Sequence, residues 1–263
     1  MNKIREAAVA GMFYPADTRQ LSRMISELLS NADLNELRPK ALIAPHAGYV
    51  YSGPVAASAY AYLQEYAATI ERVVLLGPAH RMSIRGLAAS SADAFATPLG
   101  VVPLDREAIE SILVMSQVQI IDEAYSGEHG LEVHLPFLQT IIPRFSLVPL
   151  LVGTAKDFEV AEVLEKLWGG PETIIIISSD LSHFHDYATA HALDHTTAVA
   201  IENFDLDALR YDCACGRTPI RGLLQVARRH GLSVHTVDLR NSGDTAGSKE
   251  RVVGYGAFVF SKP

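Results

Sequence analysis

Six short runs, at residues 41–44, 73–76, 118–121, 147–152, 173–177 and 252–260, are mostly apolar from one end to the other. A strand with one wet face alternates apolar and polar side chains, so runs that stay apolar at successive positions read as strands covered on both faces. Helix-length segments with apolar residues at helical spacing lie between them. Asp17 and Gln20 form a capping-box-like start to a helix over 18–29, where Leu21, Met24, Ile25, Leu28 and Leu29 share a face. Further helices are predicted over 54–65, 106–116, 132–141, 158–167, 187–203 and 219–230. The last takes Thr218 as N-cap, Pro219 as its first helical residue and Gly231 as its stop. Strands alternating with helices predict an α/β fold, with a mostly parallel or mixed central sheet and helices on both faces.

The length of 263 residues suits one such layered domain, since these often run to about 250 residues. With no repeat, low-complexity tract or Gly/Ser-rich linker, the chain reads as a single unit over 1–263. A formal net charge of −8, without any cluster of Lys and Arg, argues against a nucleic-acid partner. No apolar run approaches the roughly 20 residues that span a bilayer. The start, Met1-Asn2-Lys3-Ile4-Arg5-Glu6, lacks the apolar segment of a signal peptide. The two cysteines, Cys213 and Cys215, are too close in sequence for a good structural disulfide, so a cytoplasmic location is expected.

In parallel sheets ligands bind beyond the carboxyl ends of the strands, and several chemistry-bearing residues fall there. His46 comes two residues after the run 41–44 and His80 four after 73–76, each braced by a proline, Pro45 or Pro78. Asp180 and His183 follow the run 173–177 through Ser178 and Ser179. A lone loop histidine is commonly a hydrogen-bonded surface residue, but imidazoles and a carboxylate converging on one edge are the ligand types of non-haem iron and zinc sites. Within the 180–183 loop, one group would bind or orient while the other moves a proton; alternatively, Asp180 caps a turn and His183 packs beside it. Cys215 and Gly216 precede the last predicted helix, whose dipole should favour a thiolate, making Cys215 a soft metal ligand or reactive thiol unless it is simply packed.

Other residues carry weaker signals. Cys213 reads as a spectator. His191 and His195, four apart on the helix over 187–203, imitate a zinc pair, yet Ala192-Leu193-Asp194 lacks the glutamate of H-E-x-x-H, and a solvated face is expected. Glu128, His129, Glu132 and His134 read as groups behind the ligands or on a substrate-facing wall, with His129 and Glu132 taken as substrate-binding. Tyr49 and Tyr51, close after His46, would add hydroxyls to that wall. Neither a glycine-rich phosphate loop nor G-x-S-x-G follows any predicted strand. Asn241-Ser242-Gly243-Asp244 is a turn by composition.

Seven motifs in order carry a resemblance over 8–258. They are Ala10-Gly11-Met12-Phe13-Tyr14-Pro15; Pro45-His46-Ala47-Gly48-Tyr49 with Tyr51-Ser52-Gly53; Gly77-Pro78-Ala79-His80; Glu128-His129 with Leu135-Pro136-Phe137-Leu138; Ser178-Ser179-Asp180-Leu181-Ser182-His183; Cys215-Gly216; and Asn241-Ser242-Gly243-Asp244 with Val253-Gly254-Tyr255. Together they resemble the Memo family, whose bacterial and archaeal branch is named AmmeMemoRadiSam system protein B. That family is similar in fold to LigB-type class III extradiol dioxygenases, non-haem iron enzymes that cleave catechol rings. The resemblance implies His46, His80 and Cys215 as metal ligands, Fe(II) as the first choice of metal with zinc or copper as alternatives, and Asp180 and His183 lining the site, His183 in the place of the acid–base histidine. Two histidines and a thiolate would then replace the usual two histidines and a carboxylate, and a thiolate gives iron more charge and is itself oxidisable.

Three functions follow as expectations. The first is an iron-dependent oxidoreductase acting on a small molecule or peptide. The second is an adaptor using the same cleft: vertebrate Memo proteins are described as adaptors for phosphotyrosine peptides, and the named bacterial system implies radical-SAM and AMMECR-like partners. The third is a zinc hydrolase, because His and Cys also suit zinc.

Overall fold

The computed structural model describes residues 3–32 and 37–263; Met1 and Asn2, part of the N-terminal stretch read above for a signal, lie outside them. In chain order the elements are β1 (Ile4–Arg5), α1 (Thr18–Ser30), β2 (Pro39–Ala44), α2 (Tyr49–Tyr60), β3 (Arg72–Pro78), β4 (Leu87–Ala89), β5 (Ala94–Thr97), β6 (Gly100–Pro103), α3 (Arg106–Leu113) and β7 (Val118–Ile120). They continue with α4 (Leu135–Ile141), β8 (Ser146–Val152), α5 (Asp157–Lys166), β9 (Thr173–Ser178), β10 (His183–His185), α6 (Tyr187–Glu202), α7 (Arg217–Arg229), β11 (Ser233–Asn241) and β12 (Val252–Ser261).

Among the described residues nine strands form the main sheet in the order β10-β12-β2-β9-β3-β8-β4-β7, with β11 paired to β12. Its centre, β2-β9-β3-β8, is parallel. β12 runs antiparallel to β2, β10 and β11, and β4 antiparallel to β8, so the sheet is mixed. Ile174 to Ile177 on β9 are all buried although successive side chains point to opposite faces, so both faces of the sheet centre are covered. β1, β5 and β6 make a separate three-stranded sheet. Among the described residues no helix is long and apolar enough to cross a membrane.

Three helix starts differ from expectation by more than one residue. α7 begins at Arg217 with Gly216 as N-cap, two residues before Pro219. The first-turn N–H groups of a helix have no partner inside it, so a proline at the third position sacrifices no bond. α2 begins at Tyr49 and runs through Pro54; only the carbonyl of Val50, an exposed residue, loses its helical donor. Residues 132–134 form a 3₁₀ turn, and the α-helix starts at Leu135.

Strand register positions the site. Ala44 pairs with Ser178, Leu76 with Ile177, and Pro78 with Val152. The carboxyl ends of β2, β9 and β3 are therefore nearly level, and the loops bearing His46, Asp180 and His80 leave from one edge.

Candidate metal centre

Ser178, the last residue of β9, fixes His46. Its hydroxyl donates to the Gly130 carbonyl, and its oxygen lies 2.6 Å from His46 Nδ1. A serine has one proton to give, so the ring must donate through Nδ1, leaving a lone pair on Nε2. His80 is held in the same way. Its Nδ1 lies 2.9 Å from Glu128 Oε1, and its backbone N–H donates to Glu128 Oε2 at 2.7 Å. A carboxylate accepts only, so this ring too keeps its free lone pair on Nε2.

Cys215 completes the set from the loop before α7. Its Sγ lies 3.4 Å from His46 Nε2, and one donor atom each from His46, His80 and Cys215 falls within 4.8 Å of the others. Two donors at usual bond lengths of about 2.1 and 2.3 Å around a tetrahedral ion stand roughly 3.6 Å apart, so this spread suits a single metal. Asp180 brackets the cysteine: its N–H donates to Sγ at 3.2 Å, and its carbonyl accepts the Cys215 N–H at 3.2 Å. Gly216 permits this approach, because a Cβ there would stand 2.6 Å from Ser179 Cβ and 2.8 Å from the Ser178 carbonyl oxygen. Ser179 Oγ accepts the Gly216 N–H at 2.9 Å and so anchors the start of α7 to the end of β9.

The electrostatics favour a neutral His46. Burial, then the neighbouring His80 and His129 rings, hold His46 well below its ordinary value. Burial works against the Glu128 carboxylate, but hydrogen bonds from His80 and the Gly130 N–H outweigh it and hold Glu128 at about 2. Burial raises Asp180 despite the His46 N–H that bonds its carboxylate at 2.8 Å. The expected thiolate at Cys215 is corrected here: burial and the Asp180 charge push the thiol up to about 12, against the pull of the helix end. A coordinated cation reverses that balance, because metal ligation deprotonates a thiol outright.

The remaining site residues divide. His129 belongs to the cluster, its ring centroid 4.7 Å from His80 and 5.4 Å from His46. His80, Glu128 and His129 also form a possible metal group, but Glu128 already accepts from His80 and from the Gly130 N–H, the bonding of a group that supports a ligand from behind. His183 is half-buried on β10 and within electrostatic reach of Asp180 and Asp194. The Asp180 carboxylate bonds the His46 backbone, so it orients that ligand loop rather than His183.

Glu132 is a correction. Instead of facing a substrate it accepts from Arg5 Nη1 (2.7 Å), the N–H groups of Ala8 (2.8 Å) and Val9 (2.9 Å), and the Tyr14 hydroxyl (2.6 Å), which fills its four acceptor sites and ties down the N-terminal segment. Tyr49 is another, being buried with its hydroxyl given to the Val133 carbonyl at 2.7 Å. Tyr51 is exposed. His191 and His195 are exposed on α6, as expected of a solvated face. Asp194 between them was not singled out by sequence, yet it is buried and accepts the Ser182 N–H at 2.9 Å. Its signal was available: Asp194 stands on the buried face of α6 with Ala190, Thr197 and Ile201.

Residues 5–259 match the family described as Memo-like protein. Among similar proteins, a MEMO1 family protein from Aquifex aeolicus is 35% identical over 98% of this chain and 99% of its own. Others from Ignicoccus hospitalis and Methanosarcina mazei are 34% and 33% identical, with 99% and 98% of this chain and 99% of each relative covered. The crystal structure of an uncharacterized protein from Escherichia coli K12 shares the fold at a TM-score of 0.54, with 15% identity over 83% of this chain and 99% of that one.

Proposed function

The chain belongs to the Memo-like protein family, and we propose that it is a metal-dependent oxidoreductase whose single iron is held by His46, His80 and Cys215. The observation that carries this reading is the shared tautomer: Ser178 and Glu128 each take an Nδ1–H, so two Nε2 lone pairs stand beside the Cys215 sulfur. Bound Fe(II) would supply one-electron chemistry toward dioxygen and open positions for substrate. The protein's part is to hold the His46 imidazole neutral by burial, to fix the thiol between the Asp180 N–H and carbonyl, and to keep both rings from turning. His183 acts as the acid–base group, half-buried on β10 at the edge of the site. Both cysteines are free, in keeping with a reducing, cytoplasmic setting, and the substrate is a small molecule or peptide. Radical-SAM and AMMECR-like proteins are the natural partners by family name.

Anaerobic reconstitution followed by metal analysis tests the centre. About one iron per chain is expected, as one mononuclear site requires, with loss of that iron in His80→Ala. Full iron retention by the variant would sink the ligand assignment, and zinc in place of iron after growth with both metals would favour a hydrolase. Dioxygen uptake with a panel of catechols tests turnover; background rates at full iron occupancy would move the reading to a binding role.

A further inference from the structure

The centre opens into a cleft of about 690 Å³ whose wall includes His80, Cys215, Arg81 and Arg217 and contains no carboxylate. The two arginines are held alike. Arg81 Nε donates to the Gly127 carbonyl at 3.1 Å and Arg217 Nε to the Leu209 carbonyl at 2.7 Å. Each guanidinium is thus anchored through one of its five N–H donors, leaving the rest for a planar acceptor. Among the described residues neither lies within 4.0 Å of a carboxylate, so neither guanidinium is taken up in an ion pair. In a chain with 30 acidic and 22 basic residues, two unpaired guanidinium groups in an acid-free cleft make a local positive site. Arg217 also lies over the ring of the exposed Tyr211, at 5.9 Å from its centroid, which gives the cleft an aromatic flank.

We infer that the molecule reaching the metal centre carries an oxyanion, a carboxylate or phosphoryl group, gripped by Arg81 and Arg217 while its reacting part lies toward His80 and Cys215. As a statement about substrate this rests on the proposed metal centre; as a statement about binding it is measurable without metal.

Benzoate, phenylphosphate and the uncharged benzyl alcohol are titrated into iron-loaded and chelator-treated protein without air, with affinities read by ligand-observed NMR. At least one anion should bind about tenfold or more tightly than the alcohol in both preparations, the effect of a charge-assisted hydrogen bond. The tighter anion identifies the group as carboxylate or phosphoryl. In R81M/R217M the advantage should vanish while metal content and alcohol affinity hold, and R217K, which keeps charge without the fork, should retain part of it. Equal binding of anions and alcohol to the wild type overturns the inference whether or not the double variant folds, as does a folded double variant that keeps the advantage. A chain that takes up no iron yet prefers the anions supports this site and defeats only the metal reading.

Discussion

Two residues outside the ligand set decide how well the ligands work. Glu128 fixes the tautomer of His80 and is held at about 2, so it is a full carboxylate at neutral pH. Glu128→Gln keeps the shape but permits the ring to flip its donor, and should weaken metal binding about 10–100-fold in competition with a chelator. An unchanged affinity would mean that His80 is oriented by something else. His134 offers a separate test of burial. Its Nδ1 lies 2.8 Å from the Tyr60 hydroxyl, and burial holds it down at about 3. The unfolded chain takes up this proton near the usual histidine value of about 6.5, whereas the folded chain does not until about 3. Its stabilising contribution is therefore complete above about 6.5 and lost progressively as pH falls toward about 3. Urea melts across that window should show the loss, and His134→Gln should reduce the slope.

At the level of elements, close approach is the controlling factor. Gly254 on β12 faces the buried Asp194 of α6, and a Cβ there would lie 1.9 Å from Asp194 Oδ2. Gly254→Ala should destabilise the fold by about 1–3 kcal/mol in denaturant titrations, the usual range for overpacking; a neutral result would mean that α6 moves freely off the sheet. The sheet centre was legible in sequence because β2, β3, β8 and β9 are covered on both faces and stay apolar but for residues at or next to their ends. β11 was not: Ser233–Asn241 mixes polar and apolar residues and, among the described residues, pairs only with β12, so nothing in it resembles a buried run. The ligands were legible as residues just past strand ends. Their supports were less so, since Ser178 is a strand-end serine and only the pairing of Ala44 with Ser178 places its hydroxyl beside His46. Glu132 and Tyr49 misled for the converse reason: sequence proximity to His129 and His46 does not say that their polar ends turn into the core.

Across the whole molecule, parallel pairing at the sheet centre gathers residues from distant parts of the chain at one edge. His46 and Cys215 are separated by 169 residues in sequence and by 3.4 Å between side chains. The arrangement joins a soft, oxidisable sulfur to two imidazoles, and the chemistry depends on whether that sulfur binds the metal. X-ray absorption at the iron edge of anaerobically loaded protein addresses this directly. The account predicts a shell of nitrogen donors near 2.0–2.1 Å and one sulfur at about 2.3 Å, the usual lengths for such donors, with the sulfur shell absent in Cys215→Ser. A wild-type spectrum without sulfur, or one that Cys215→Ser leaves unchanged, would contradict it.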